Sequence, residues 1–233
     1  MSNRSRGRVI GSLFLLAFAA YLSGSALVAS GSGGPEALSA VLGHQIQLAA
    51  GGLLMLLNSV AVAGIGVTAL PVLRQHDEIA GYAYLASRTV EAVLLAVGVV
   101  FVLLLLPLAT EHAAGASPDL PALARVALAG NQYAYQVAMI AVGIGGVVLC
   151  RVLFRAVLVP RFLATWGLVG YAIFAVGAML EILGYGVGLA LSVPGGLFEL
   201  VLGVLLIVRG FPLVRPPAAE ELDEYPAVAK AGR

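Results

Sequence analysis

Between Tyr84 and Pro107 the chain reads YLASRTVEAVLLAVGVVFVLLLLP, and from Ala92 to Leu106 every side chain is apolar or absent. About 20 such residues suffice to cross a hydrocarbon core of about 30 Å as a helix. Backbone groups in lipid have no water to bond, so they must be satisfied within the segment; a run this long, without alternation, does that as a helix and not as a barrel strand. The same scan finds six spans, expected near Val9–Ser30, Ile46–Leu73, Ile79–Leu106, Leu128–Leu153, Phe162–Tyr185 and Leu197–Val208. Composition removes the soluble alternative. Hydrophobic residues make up 61% of the chain, charged residues 11%, and the mean hydropathy is +1.01, whereas soluble domains carry about 25% charged residues. The expected fold is an all-α integral membrane protein, a six-transmembrane-helix bundle.

Basic residues orient it. Arg4, Arg6, Arg8, Arg74, Arg151, Arg155, Arg161, Arg209, Arg215, Lys230 and Arg233 flank the ends that an even number of crossings leaves on one side, and Arg125 alone flanks the other. The positive-inside rule then puts both termini in the cytoplasm. Three parts are expected: a cytoplasmic N-terminal segment over 1–8, a single bundle over 9–211, and a disordered cytoplasmic tail over 212–233 carrying PP and EELDE. RSRGR, an apolar run and SGSALVAS imitate a signal peptide. The run is as long as a full span rather than a signal core of about 7–15 residues, so retention is expected; cleavage would leave five helices in the same orientation.

Against this background Arg88 and Glu91 demand an explanation, since each charge costs roughly 2.5–3.5 kcal/mol at a bilayer centre on the insertion scale. At about 100° per residue, Tyr84, Arg88, Glu91 and Gly98 share one stripe of the third span, and His44, Gln47, Gly51 and Asn58 share one on the second. The fourth offers Gln132, Tyr135, Gln136, Met139, Gly143 and Gly146, the fifth Gly170, Gly177 and Glu181, and the sixth Gly196, Glu199, Gly203 and Gly210. Such stripes mix small residues that admit close backbones with groups that bond across helices. Asn58, Gln132 and Gln136 can serve simply as that glue, and Tyr82, Tyr84 and Trp166 as interfacial anchors. One arginine facing three glutamates is harder to treat as packing. Pairing neutralises one carboxylate, leaving the others protonated, hydrated or shared with a cation. The candidate site is therefore a polar cavity opening outward, floored by Arg88 and Glu91 and lined by Glu181 and Glu199, both placed near outer helix ends, with Gln47, Asn58, Gln132, Tyr135 and Gln136.

Other chemistries are excluded. Cys150 is the only cysteine, so thiolate metal sites and internal disulfides are absent. His44, His76 and His112 fall at helix ends or in loops, which removes deep haem ligands. HExxH, P-loop and GxSxG patterns are missing, GIGG at Gly143–Gly146 lies inside a helix, and the basic residues are too scattered for nucleic acid. No cofactor and no metal are expected.

The segments GYAYLASRTVEAVLL, FRAVLVPRFLATWGLVGYAIFAVGAMLEILG and VPGGLFELVLGVLLIVRGF resemble a bacterial membrane-protein family catalogued as domain of unknown function 4386. The likeness runs from about Leu70 to Phe211 and rests on Arg88 and Glu91, the Pro160–Arg161 turn, Glu199 and Arg209–Gly210–Phe211. It implies a compact multi-span bundle in a bacterial cytoplasmic (inner) membrane and supplies no reaction. Three functions stay open: binding or transport of a small cationic or polar solute, a non-catalytic membrane subunit or sensor, and an intramembrane enzyme with a glutamate as acid or base. The third is the weakest, since no nucleophile with a neighbouring base stands out. The lipid bilayer is the one partner the sequence requires, and the oligomeric state is open.

Overall fold

The computed structural model describes residues 2–32 and 37–212, and among them the chain is helical with no strand. The helices are α1 (Asn3–Ser32), α2 (Ala37–Gly43), α3 (Gln45–Leu73), α4 (Glu78–Leu103), α5 (Leu105–Ala113), α6 (Leu120–Arg155), α7 (Arg161–Ile182) and α8 (Gly188–Arg209). Six crossings are long and apolar enough to span a membrane: α1, α3, α4 continued by α5, α6, α7 and α8. The protein is a six-span helical membrane protein.

Local chemistry sets the boundaries. Asp77 caps α4, its carboxylate accepting from Ala80 N at 2.9 Å, which satisfies one of the orphan donors of a helix start. The third crossing is interrupted at Leu104, where Pro107 has no N–H to give the carbonyl of Leu103, four residues back. Two expectations shift. Helix α1 begins at Asn3, so most of the expected N-terminal segment is already helical. Helix α8 begins at Gly188 rather than near Leu197, and Pro194 with Gly195 sits inside it. In lipid, backbone left unbonded is costlier than a proline in a helix, so the helix persists where the same residues in water signal a loop. The expected tail over 212–233 lies, apart from Pro212, outside the described residues.

The six crossings form a closed ring in chain order. Each packs on its sequence neighbour, and α8 returns to α1, the least extensive of the neighbour contacts. One end of the ring, the termini end, carries the first and last described residues together with Arg74, Arg151, Arg155, Arg161 and Arg209; the other is the distal end. Small residues set the course of α1. Near the termini end it presses on α8, where a Cβ on Gly11 would strike the Gly203 carbonyl oxygen. Near the distal end it has crossed to α3, where a Cβ on Gly24 would lie 2.8 Å from the Gly51 carbonyl oxygen.

The ring's interior is filled unevenly. Toward the termini end Ile10, Phe14, Val72, Leu73, Leu149, Leu153, Leu202, Leu206 and Phe211 form a dry apolar plug. Toward the distal end a second apolar cluster joins α2 and α5 to α1, α3, α4 and α6 and includes no residue of α7 or α8. Helix α6, at 36 residues, is about 54 Å long, while α7 and α8, at 22 residues each, are about 33 Å, just the bilayer core. The interior is thus closed at the termini end and less covered beside α7 and α8.

Candidate functional site

Charge lies at half depth. Arg88, Tyr171 and Glu199 each stand ten residues from the termini end of their helices, at Glu78, Arg161 and Arg209, which is about 15 Å into a core of about 30 Å. Arg88 uses all three guanidinium nitrogens: Nε donates to the Tyr84 hydroxyl at 2.9 Å, Nη1 to Glu91 Oε2 at 2.8 Å, and Nη2 to Glu199 Oε1 at 3.2 Å. The Tyr171 hydroxyl donates to the same Glu199 oxygen at 2.7 Å. The guanidinium carbon also stands 5.3 Å from the centroid of the Phe14 ring and 5.2 Å from that of Tyr84, where a ring quadrupole attracts a cation.

Helix faces bring these groups together. Tyr84, Arg88 and Glu91 recur at four and three residues, so one stripe of α4 carries all three into the ring. Glycine makes the room: a Cβ on Gly66 of α3 would lie 2.9 Å from Arg88 Cβ, and one on Gly146 of α6 would enter the Tyr171 ring. The Arg88–Glu199 bridge then joins α4 to α8, which stand opposite each other. A second pair, Tyr21 of α1 and Tyr135 of α6, stacks across the ring with centroids 5.3 Å apart and planes 14° from parallel.

Above this layer is a cavity of about 400 Å³. Its floor is Arg88, Glu91 and Glu199; its walls include Phe14, Phe18, Tyr21, Tyr135 and Phe174, with Asn58 as a polar wall group. Asn58 is buried and bonds to none of the described residues. The two carboxylates differ. Glu91 is nearly buried, its side chain 6% exposed, whereas Glu199 is 23% exposed and both of its hydrogen bonds fall on Oε1. Among the described residues Glu199 Oε2 and Glu91 Oε1 accept no hydrogen bond, and Glu199, the more exposed of the two, offers the readier acceptor to a guest. One guanidinium also faces two carboxylates, so the second requires a proton or a cation.

Five of the nine residues singled out from the sequence meet here: Arg88, Glu91, Glu199, Asn58 and Tyr135. Four do not. Gln47 ties α3 to α1, donating to Ser30 Oγ at 2.6 Å; Gln132 is exposed on the outside of the ring, and Gln136 is buried in α6 away from the cavity. Glu181 caps α8, its Oε2 accepting from Gly188 N at 2.7 Å. Glu199 is in the cavity at half depth and not near the outer end, because α8 starts nine residues before Leu197. Tyr84 is not an interfacial anchor: it is wholly buried. Tyr171 and Phe14, which sequence reasoning passed over, complete the layer; a tyrosine in mid-span, in GLVGYAIFAVG, was the available signal for the first. Among the described residues no group of histidine, cysteine, aspartate and glutamate is arranged to hold a metal.

A ring of six spanning helices with a charged layer at half depth and a one-sided cavity above it defines a polytopic membrane protein with an internal, largely apolar chamber on a charged floor. The chain belongs to the family described as Domain of unknown function (DUF4386), whose family model matches residues 9–210. No curated protein and no solved structure matches it.

Proposed function

We propose that this protein binds, and in a transport cycle would move, a small organic cation whose charged group docks against Glu199, with both chain termini in the cytoplasm of a bacterial cell and the cavity facing outward. The observation carrying this reading is the charge inventory of the floor: two carboxylates against one guanidinium, with Glu199 Oε2 uncommitted beneath a chamber of about 400 Å³. That volume falls within the roughly 300–1,000 Å³ of small-molecule sites. Aromatic walls suit a cation as well, since ring faces attract positive charge. The apolar plug below the floor favours binding from the distal side alone in this conformation, so transport would require a second arrangement in which the plug parts.

The test is calorimetric titration of methylammonium, and of acetate as the anionic control, into the full chain in lipid nanodiscs. Methylammonium should bind and acetate should not. Glu199→Gln should weaken methylammonium binding by about 100-fold, about 2.7 kcal/mol, while Glu181→Gln should leave it within about twofold, because Glu181 only caps α8. Equal loss in both variants, or preference for acetate, would refute the cation reading and leave a structural subunit with a fully bonded charged core as the better account.

A further inference from the structure

The chamber's opening specifies more than charge. Helix α1 leaves α8 as it rises: a Cβ on Gly7 would lie 2.7 Å from Phe211 N and one on Gly11 would strike the Gly203 carbonyl oxygen, yet seven residues higher on both helices a Cβ on Gly196 would meet only the Phe18 ring, at 3.8 Å. Above that level α1 is committed to α3 through Gly24 and Gly51. The two helices therefore diverge from a closed base into a wedge. Cavity-lining residues run out along both edges of the wedge to positions on the outer surface of the ring: Leu22 on α1 is 53% exposed, and Leu189, Val193 and Leu197 on α8 are 84%, 51% and 49% exposed. In a membrane that surface is covered by acyl chains. The polar floor is thus joined to the lipid by an apolar slot.

Resting on the cation reading above, we infer that the ligand is a single-chain cationic amphiphile, its ammonium group at Glu199 and its hydrocarbon tail passing between α1 and α8 into the lipid. Charge complementarity selects the head, because the floor is one positive charge short. The slot selects the tail, because its edges are leucine and valine and would leave a polar extension unsatisfied. A molecule of this kind partitions into the bilayer before it binds, so its path to the floor is lateral. Ser192 and Gly196 are the small residues of the α8 edge.

The experiment uses dodecylamine bearing a diazirine midway along its chain, photolysed with the full-length protein in phosphatidylcholine nanodiscs and mapped by mass spectrometry. Adducts should concentrate on 18–22 and 189–197, at least about tenfold above Val60 and Val67, which are as exposed on α3. The same diazirine on dodecanol should show no such concentration, and Glu199→Gln should reduce it about tenfold for the amine, about 1.4 kcal/mol. Adducts spread evenly over the outer surface would overturn lateral entry, and concentration equal for amine and alcohol would overturn selection of the ammonium head at Glu199. The two readings separate cleanly: even labelling with methylammonium still bound removes the slot and keeps the cation site, and even labelling without methylammonium binding removes both.

Discussion

Arg88 is held by every nitrogen it has, and that decides how it responds to change. Removing it leaves Glu91, whose side chain is 6% exposed, as a buried carboxylate without a counter-charge, so Arg88→Ala should cost about 3–5 kcal/mol of stability. Arg88→Lys should recover little, because one ammonium nitrogen cannot reach Tyr84, Glu91 and Glu199 together as the planar fork does. The double variant Arg88→Ala, Glu91→Gln should regain a substantial part of the loss, since the stranded charge has gone with its partner. Thermal melts in one detergent measure all three, and strictly additive losses would show that the pair does not interact. The Arg88–Glu91 pairing was legible in sequence because three residues along one helix fixes neighbours. Glu199 was legible only as an intramembrane acid, for its partnership with Arg88 spans 111 positions and depends on where α8 begins. Tyr84 admitted two readings in the sequence, a place on the Arg88 stripe and an interfacial anchor, and its complete burial decides for the stripe.

Elements are spaced by glycines that are not equivalent, and the difference can be measured. Gly146 lies directly under the Tyr171 ring, so an added methyl must displace that ring from Glu199; Gly196 faces the chamber, with the Phe18 ring at ordinary contact distance. Gly146→Ala should therefore destabilise by about 1–3 kcal/mol, the cost of overpacking, and weaken methylammonium binding by loosening Glu199. Gly196→Ala should be neutral or stabilising by a few tenths of a kcal/mol, because it removes backbone entropy from the unfolded chain without a clash. Equal melting temperatures for the two variants would contradict this difference in packing. In the sequence both glycines look alike, each on a small-residue stripe of a span. Which one carries a neighbour's weight depends on the facing helix, and a single helix's periodicity has no access to that. The same limit explains the late start expected for α8: LSVPGGLF reads as a turn in water, and only the lipid and the close approach of α7, where a Cβ on Gly170 would lie 3.2 Å from the Pro194 carbonyl oxygen, keep it helical.

At the scale of the whole molecule the ring has two unlike ends, and this sidedness links architecture to the proposed activity. Six crossings and the clustering of arginines at one end were readable from hydropathy and charge alone. The closure of the ring and the wedge between α1 and α8 were not, because they rest on which glycine faces which backbone. Ser192 tests the consequence. It lines the chamber four residues into α8, about 6 Å from the distal end of the helix, and among the described residues its hydroxyl bonds to Leu189 O alone, within its own turn, so cysteine replaces it with little strain. Cys150 lies fully buried beside the plug, where Gly167 and Phe198 close over it. In intact cells a membrane-impermeant maleimide should label Ser192→Cys from outside and leave Cys150 untouched until the protein is denatured, because water reaches the chamber and not the plug. Labelling of Ser192→Cys only after the reagent is given access to the cytoplasm would reverse the proposed orientation. Labelling of native Cys150 in the folded protein would mean that the plug is hydrated, and the chamber would then run through the ring instead of ending at Arg88.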